Sequence, residues 1–310
     1  MDSRQLRYFV AVFEQRNLSR AADLCGVAQS ALSHHIGNLE TEFGTGLFVR
    51  KSRGMEPTAA GERLYQHAKA ILRAMTAAEK DIRLASDDIA GDVSIGMAYS
   101  AVRAIGVPLM RIVLERYPKV KLSLTESLSG STLMHLMAAD VDLALVYNPP
   151  QDPQLLAEPV LEEAMVCVGT REIIGDTTAP IRFDELLDLP VILLRQGVSS
   201  RALMDDTSLL RKLEARAKLQ MNSVHAIGGA LEAGLGCVIG TTLFMREQLE
   251  RGVVHARPII EPSLSRTLYL CQLADRPATY VLEAMRRLML DLIHREIDTG
   301  NWQARALSVR

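Results

Sequence analysis

The spacing of apolar residues through the first 45 positions predicts three helices. In each of them apolar residues recur every three or four positions, which places them on one buried face of a helix. The pattern puts the helices at about residues 3–15, 19–25 and 29–43. Asn17 or Ser19 can cap the second helix, and Gly26 can take the left-handed conformation that ends it.

The predicted third helix has polar side chains crowded into its first two turns: Gln29, Ser30, Ser33 and His34. A solvated helix start with Gln29 or Ser30 near the cap is the ordinary interpretation. The tight turn before this helix favours instead a helix-turn-helix unit, whose second helix presents its first residues to the major groove of DNA. We therefore expect these four side chains to contact base edges and phosphates.

A cationic turn follows in LFVRKSRGMEPT, between two short extended pieces that predict a β-hairpin wing. The turn contains Arg50, Lys51 and Arg53, three of the seven arginine and lysine residues among the first 60, which also include six acidic residues. A cationic run is usually solvated surface, but beside a helix-turn-helix unit it predicts phosphate contacts. Ser19 and Arg20, at the start of the second helix, are further candidate DNA contacts.

A long helix is predicted from Thr58 to about Ser86, because the segment has no proline and its only glycine, Gly61, lies in the first turn. Small and apolar residues alternate there in steps of four and three, which is a heptad seam. Such a helix either lies on its own domain or pairs two subunits, and its place between two domains favours pairing. The predicted dimerisation residues are Leu64, Ala68, Ile71, Met75, Ala78 and Ile82.

After Gly91 strand and helix patterns alternate, which predicts an α/β domain with a largely parallel sheet. The predicted strands are VSIGMA, VKLSLTE, VDLALVY, AMVCVGT, PVILLR, GCVIGT and LYLCQL, and the predicted helices span residues 107–117, 132–138 and 280–297. The last helix has a predicted buried face of Leu282, Met285, Leu288, Met289 and Leu292. The tail from residue 299 is expected to be loosely held.

Two hydroxyl-rich turns follow strand ends in this domain, one with Ser100 and one with Ser129 in SLSGST. Ligands bind outside the carboxyl ends of strands in open α/β sheets, and the free N–H groups of helix N-termini attract anions. The turns therefore predict a site for a small carboxylate or similar anion. Helix capping is the alternative role of either serine, and it is compatible with ligand contact.

The composition of the chain bears on three questions: whether it binds a metal or cofactor, where in the cell it works, and whether it binds nucleic acid. The four cysteines are scattered without paired spacing, which indicates neither a disulfide framework nor a zinc site, so we expect no metal and no cofactor. The sequence shows no signal-peptide pattern and no apolar run long enough for a membrane span, which predicts a cytoplasmic protein. The net charge of −2 gives no global argument for nucleic acid, but binding depends on a local patch.

The N-terminal sequence resembles the DNA-binding domain of LysR-type transcriptional regulators. It matches, in order, the spaced AA, the VxQSALS helix, the I-x-x-LE pattern toward the end of that helix, the LFxR strand and the PTxAG sequence at which the next helix begins. Within that family it is most similar to the nitrogen assimilation control subgroup. Ser30 stands where the family commonly has proline, and Gly37 interrupts the recognition helix, so the family's operator preference does not carry over.

The resemblance implies a fold class and a division into domains. The fold class is an all-α winged helix-turn-helix DNA-binding domain plus an α/β effector domain of two periplasmic-binding-protein-like subdomains. The implied boundaries are 1–58 for the DNA-binding domain, 59–89 for a dimerising linker helix, 90–298 for the effector domain and 299–310 for the tail. Subdomain I spans 90–161 and 268–298, subdomain II spans 162–267, and the chain crosses near Leu161 and Thr267.

The resemblance also implies partners. Ser100 and Ser129 match the usual effector contacts, and Ser199, Ser200 and Thr241 are further candidates from the second subdomain. Double-stranded promoter DNA, a small-molecule effector and a second copy of the chain, in a homodimer or homotetramer, are the expected partners. RNA polymerase is a further candidate, and no membrane partner is expected.

A sequence-specific transcriptional regulator is therefore the predicted function. The C-terminal half alone would also suit a solute-binding or transport-accessory module, but the 90 residues before it and the lack of a signal peptide argue against that class. An enzyme is disfavoured because the sequence contains no GxSxG, P-loop, HExxH or strand-linked GxGxxG motif. His34 and His35 are adjacent and point to different faces of a helix, which disfavours a metal pair.

Overall fold

The computed structural model describes residues 1–51, 54–83, 89–194, 207–276 and 279–307. It divides into two compact units, Met1–Ala85 and Ser86–Arg310. Three predicted site residues, Arg53, Ser199 and Ser200, lie outside the described residues, as does the side chain of Ile82. Among the described residues, no helix combines the length and the apolar character needed to cross a membrane.

The first unit contains the three predicted helices, a hairpin and one long helix. Its elements are α1 (Ser3–Gln15), α2 (Leu18–Cys25), α3 (Gln29–Phe43), β1 (Phe48–Lys51), β2 (Gly54–Pro57) and α4 (Ala59–Arg83). Asn17 caps α2 by accepting a hydrogen bond from the Arg20 N–H, and α2 and α3 end at Gly26 and Gly44, both in the left-handed conformation. The predicted bounds of the first three helices and the hairpin wing are thus confirmed, whereas the predicted end of the long helix near Ser86 lies outside the described residues.

The start of α3 is not capped by a polar side chain. Its N-cap residue is Ala28, which makes no side-chain hydrogen bond to the helix. Gln29 and Ser30 therefore do not cap the helix, because both residues already lie inside its first turn. Both are exposed next to the cap residue, so the structure agrees with the part of that interpretation that describes a solvated helix start.

Hydrogen bonds and a close backbone approach hold the start of the wing against α3 and α4. The Glu40 Oε1 atom on α3 accepts hydrogen bonds from the backbone N–H groups of Leu47 (2.7 Å) and Phe48 (3.1 Å). The Thr58 hydroxyl accepts from the Gly61 N–H at 3.0 Å and so caps the start of α4. A Cβ atom at Gly61 would lie 2.2 Å from the Leu47 carbonyl oxygen, so this close approach requires glycine.

The first turns of α4 pack on their own domain. Tyr65 stacks on Phe13 with ring centroids 3.9 Å apart, and Ala68 is fully buried in the core of the first unit, with Leu64 partly buried beside it. The assignment of Ala68 to a subunit seam is therefore wrong, since another chain cannot reach it. Farther along α4, Ile71 and Met75 keep 38% and 39% of their surface exposed, and Ala78 is exposed too.

The second unit alternates strands and helices as predicted. Its strands are β3 (Gly91–Ala98), β4 (Val120–Ser127), β5 (Leu143–Tyr147), β6 (Leu155–Ala164), β7 (Val166–Gly169), β8 (Ile181–Arg182), β9 (Ile192–Leu194), β10 (Leu219–Met221), β11 (Val238–Gly240), β12 (His255–Ile260), β13 (Ser265–Leu273) and β14 (Arg305–Ala306). Its helices are α5 (Tyr99–Ala101), which continues through a π-helical turn (Val102–Gly106) into α6 (Val107–Arg116), then α7 (Ser129–Met137), α8 (Arg171–Ile174), α9 (Phe183–Leu186), α10 (Thr207–Arg216), α11 (Val224–Glu232), α12 (Arg246–Glu250) and α13 (Tyr280–Asp298). The predicted buried face of α13 is confirmed at all five positions.

Among its described residues the second unit contains a larger sheet of six strands, a smaller sheet of four strands and a separate parallel pair, β9 and β10. The prediction of a largely parallel sheet is wrong, because antiparallel pairings outnumber parallel ones in both the larger and the smaller sheet. The larger sheet has the strand order β14-β6-β13-β5-β3-β4, and the smaller has the order β11-β7-β12-β8. β3 pairs in parallel with β4 and β5, but β13 is antiparallel to β5 and β6, and β7 is antiparallel to β11 and β12. We call the two parts built on these sheets the larger and the smaller subdomain. The chain passes between them where β6 leads into β7 and where β12 leads into β13.

The segment after α13 is held in place, contrary to the expectation of a loose tail. Trp302 keeps only 1% of its surface exposed and belongs to the core of the larger subdomain. β14 pairs antiparallel with β6, placing Arg305 opposite Glu162, and the Leu307 N–H donates to the Val160 carbonyl at 2.8 Å. A β-strand pairing and a buried indole therefore fix residues that the sequence pattern left unassigned.

Candidate functional site

The start of α3 presents a polar surface to solvent. Gln29, Ser30 and His34 are exposed and Ser33 is half-buried, whereas the apolar stripe of the same helix lies in the core. The Ser19 hydroxyl at the start of α2 donates to Gln29 Oε1 at 3.0 Å. This contact orients the Gln29 side chain and leaves it accessible.

The two adjacent histidines of α3 point to different faces, as predicted. His34 is exposed and lies 3.3 Å from the Asn38 amide through its Nε2 atom. His35 is half-buried and packs on Tyr8 of α1, with ring centroids 5.1 Å apart. Only His34 therefore belongs to the polar surface of α3.

The wing meets the start of α3 through one side chain. Arg50 Nη2 on β1 donates to the Ser33 hydroxyl at 2.8 Å, so this guanidinium lies beside the polar residues of the helix. Lys51 points to the other strand of the wing and forms an exposed ion pair with Glu56 at 2.6 Å. The two wing cations thus differ, because a carboxylate already balances the charge of Lys51.

A buried ion pair lies among the predicted effector contacts in the second unit. Arg266 on β13 and Glu163 on β6 are 5% and 1% exposed, and Arg266 Nε donates to Glu163 Oε2 at 3.0 Å. The Nη2 atom of the same guanidinium donates to the Ser100 hydroxyl at 3.0 Å and to the Thr241 hydroxyl at 3.3 Å. Ser100 and Thr241 are therefore brought together, as the sequence predicted, but around a cation that the sequence reasoning missed.

Two aromatic side chains complete this cluster. The Arg266 guanidinium lies over the Tyr147 ring, 3.7 Å from its centroid, and Trp302 Nε1 donates to Glu163 Oε1 at 2.7 Å. Both oxygens of Glu163 are thus hydrogen-bonded. Burial raises the pKa of Tyr147 well above its ordinary value, so its hydroxyl stays protonated. We refer to Ser100, Tyr147, Glu163, Thr241, Arg266 and Trp302 as the hinge cluster, because they lie where the chain passes between the two subdomains.

The predicted serines do not offer free hydroxyls to an open crevice. Ser100 accepts from Arg266, and the buried Ser129 hydroxyl accepts from the Tyr147 backbone N–H at 3.2 Å. Neither serine caps its helix, because the N-cap residues of α5 and α7 are Ala98 and Leu128. The capping interpretation is therefore wrong, and each hydroxyl accepts a hydrogen bond from an internal donor. Effector contact by the two serines stays a prediction.

The sequence did carry a signal for the missed ion pair. Arg266 lies in the same strand phase as Leu264, Leu268 and Leu270, all of which are buried, and so it occupies the inward face of β13. Glu163 lies two positions from the buried Leu161, but the alternation does not continue along β6, because Pro159 is exposed and Val160 is buried. A charged residue in such a phase predicts a buried charge that requires a partner.

Two family models match the sequence of the chain. The bacterial regulatory helix-turn-helix protein, lysR family, matches residues 3–62, and the LysR substrate binding domain matches residues 86–293. The nitrogen assimilation regulatory protein Nac of Klebsiella aerogenes is 30% identical over 297 residues, which cover 95% of this chain and 96% of that protein.

Solved structures show the same fold at lower identity. Full-length OxyR from Pseudomonas aeruginosa matches with a TM-score of 0.71 and 21% identity, covering 95% of both chains. Full-length CbnR, solved in complex with its target DNA, matches with a TM-score of 0.61 and 20% identity, covering 95% of this chain and 99% of that one. The helical first unit and the α/β second unit described above therefore have experimental counterparts.

Proposed function

Because the chain belongs to the LysR family of bacterial transcriptional regulators, we propose that it recognises promoter DNA through the start of α3 and the wing. The family consists of regulators, so the solute-binding module and the enzyme considered from the sequence are set aside. The observation that carries the proposal is the exposed polar start of α3, joined to the wing by the Arg50–Ser33 hydrogen bond. Helix and wing thereby form one surface.

The residues of this surface divide by chemistry into two groups. Gln29, Ser30 and His34 are exposed hydrogen-bonding side chains in the first turns of a helix, which suits contacts to base edges in the major groove. Arg50 on the wing and Arg20 on α2 are exposed cations, which suits phosphate contacts that position the protein. Ser19, Ser33, Lys51 and Arg53 complete the proposed DNA surface.

Two copies of the chain are required to bind two half-sites at a fixed spacing. We place the pairing surface on the exposed part of α4, with Ile71 and Met75 as its centre and Ala78 beside them. Leu64 contributes only through the part of its side chain that the domain core leaves uncovered. The assembly is a homodimer or a homotetramer, and RNA polymerase is a further proposed partner at the promoter.

The proposed effector is a small carboxylate or similar anion that binds between the two subdomains. Arg266 supplies the cation such a ligand needs, and the hydroxyls of Ser100 and Thr241 lie beside it. Glu163 already pairs with Arg266, so an entering carboxylate has to displace the Glu163 side chain. Ser129 contributes indirectly, because its hydroxyl accepts from the backbone N–H of Tyr147 and so positions that residue. Ser199 and Ser200 are further proposed effector contacts.

The function is tested by titrating labelled DNA with the full chain. A fragment from the promoter region upstream of its own gene is compared with a fragment of the same composition and shuffled sequence, at two salt concentrations. We expect tighter binding to the promoter fragment, with an affinity for both that falls as salt rises. Equal affinity for both fragments would argue against sequence-specific recognition of this region.

A further inference from the structure

The segment after α13 makes contacts with both subdomains of the second unit. On the larger subdomain, β14 pairs with β6 and Trp302 is buried in the core. Toward the smaller subdomain, Gln303 Oε1 accepts from the Thr242 hydroxyl at 3.1 Å, and the Asn301 carbonyl accepts from the Arg246 guanidinium. Thr242 lies in the connection between β11 of the smaller sheet and α12, and Arg246 begins α12. Along the chain both partners follow the smaller sheet, although the neighbouring Leu243 packs in the core of the larger subdomain.

The same segment reaches the place where the chain passes between the subdomains. Trp302 Nε1 donates to Glu163 Oε1 at 2.7 Å, and Glu163 lies at the end of β6, just before β7 of the smaller sheet. Its partner Arg266 lies at the start of β13, on the other connecting segment. One indole N–H therefore supports an ion pair that joins both connections.

We propose that residues 299–307 form a strap that fixes the relative arrangement of the two subdomains, and that it acts through the Trp302–Glu163 hydrogen bond. Two connecting segments that cross between subdomains form a natural hinge, because a few residues absorb the change in backbone angles. The strap adds a third connection that is hydrogen-bonded to each side. Any ligand that favours another arrangement has to work against this connection.

The strap does not depend on the proposed effector or on DNA, so it is tested on the full chain alone. Trp302→Phe keeps an aromatic ring in the core and removes the N–H donor to Glu163. We expect amide hydrogen exchange to accelerate roughly tenfold in the connecting segments, residues 161–167 and 264–268, because a hydrogen bond to a charged acceptor is lost. Exchange in β3 and β5, inside the larger subdomain, should remain as in the wild type.

Arg305→Ala is the matched control. It lies on the same strap and removes an exposed ion pair with Glu162, but it leaves Trp302 and Glu163 untouched. We expect no acceleration in the connecting segments of this variant. If the segment only stabilised the unit as a whole, Trp302→Phe would accelerate amide exchange equally in all of its strands. That result would overturn the proposal, and so would exchange that does not change in the connecting segments.

A second variant covers the case in which Trp302→Phe fails to fold. Gln303→Ala changes an exposed side chain and removes the hydrogen bond to Thr242, so the core is unaffected. We expect a smaller acceleration, roughly two- to fivefold, in the same two segments and not in β3. If exchange in those segments does not change, the strap does not connect the subdomains and the proposal fails.

Discussion

Glu163 and Arg266 lie directly opposite each other on the antiparallel strands β6 and β13, and both are buried. A buried ion pair costs desolvation on both sides, so its two members depend on each other more than on the rest of the core. Glu163 is also the only acceptor described for the indole of Trp302. The pair therefore ties the two connecting strands and the C-terminal segment into one cluster.

Removal of one member of this pair should destabilise the second unit strongly. Glu163→Gln leaves the Arg266 charge buried without its counterion, and we expect the free energy of unfolding to fall by about 3–5 kcal/mol. The double variant Glu163→Gln with Arg266→Met should recover much of this loss, because no unpaired charge remains. Urea unfolding followed by the fluorescence of Trp302, the one tryptophan of the chain, measures both variants. A double variant as unstable as the single one would show that the pair is not the cause.

The two wing cations should contribute unequally to DNA binding. Arg50→Ala removes an exposed charge beside α3, and we expect weaker binding to promoter and shuffled DNA alike, with a salt-dependence slope reduced by about 1. Lys51→Ala is the matched control, because Glu56 already balances that charge, and its effect should be smaller. Binding isotherms at three or more salt concentrations give both slopes. Equal slopes for the two variants would contradict the distinction.

Gln29 should contribute to discrimination between sequences. If its amide contacts a base edge, Gln29→Ala reduces the preference for promoter over shuffled DNA by about 1–3 kcal/mol. Ser19→Ala removes the hydroxyl that orients Gln29, so we expect a smaller loss in the same direction. Competition binding with the two DNA fragments measures this preference. An unchanged preference in Gln29→Ala would exclude a base contact at this position.

The exposed part of α4 should hold two subunits together. Met75→Glu or Ile71→Glu places a charge in the proposed seam, and we expect the dimer to dissociate and promoter affinity to fall with it. Gln66→Glu adds the same charge at an exposed position off the seam and should leave the assembly intact. Sedimentation velocity at micromolar concentration distinguishes them. A Met75→Glu chain that still sediments as a dimer would remove the seam from this part of α4.

The helices of the first unit could be predicted from sequence because each carries its own start and stop signals. Asn17 caps α2, and Gly26 and Gly44 end α2 and α3, so local chemistry determines those bounds. The extent of the α4 seam could not be predicted in the same way. A heptad pattern reports that Ala68 is on an inward face, but it does not tell whether that face meets its own domain or another chain.

The hinge cluster depends on contacts between distant positions. The phase of Arg266 on its strand marks a buried cation, but the pairing with Glu163 joins residues 103 positions apart and is set by the register of β6 and β13. Strand β6 could not be predicted from its sequence, LLAEPVLEEA, because a proline and three glutamates are unusual in a strand. Pairing with β13 stabilises it instead. The burial of Trp302 could not be predicted, because the tail GNWQARALSVR is too short to show a periodic pattern.

An anionic effector would compete with Glu163 for Arg266, and it would stabilise the second unit in proportion to its affinity for the folded chain. We expect at least one member of a panel of small metabolic carboxylates and aromatic acids to raise the melting temperature of the wild type. Neutral amides of the same shape are the matched ligands, and they should have no effect because they do not pair with a guanidinium.

The variant that tests the site is Ser100→Ala with Ser129→Ala. It removes the hydroxyl that shares Arg266 and the hydroxyl that positions Tyr147, so we expect it to fold and bind DNA while losing the thermal response to the anion. Each lost acceptor costs about 1–3 kcal/mol of stability, so the melting temperature without ligand should also be lower, and only the ligand-induced shift is compared. If no anion stabilises the wild type and the variant regulates its promoter normally in cells, Glu163 is the only carboxylate this arginine binds, and the crevice is not an anion sensor.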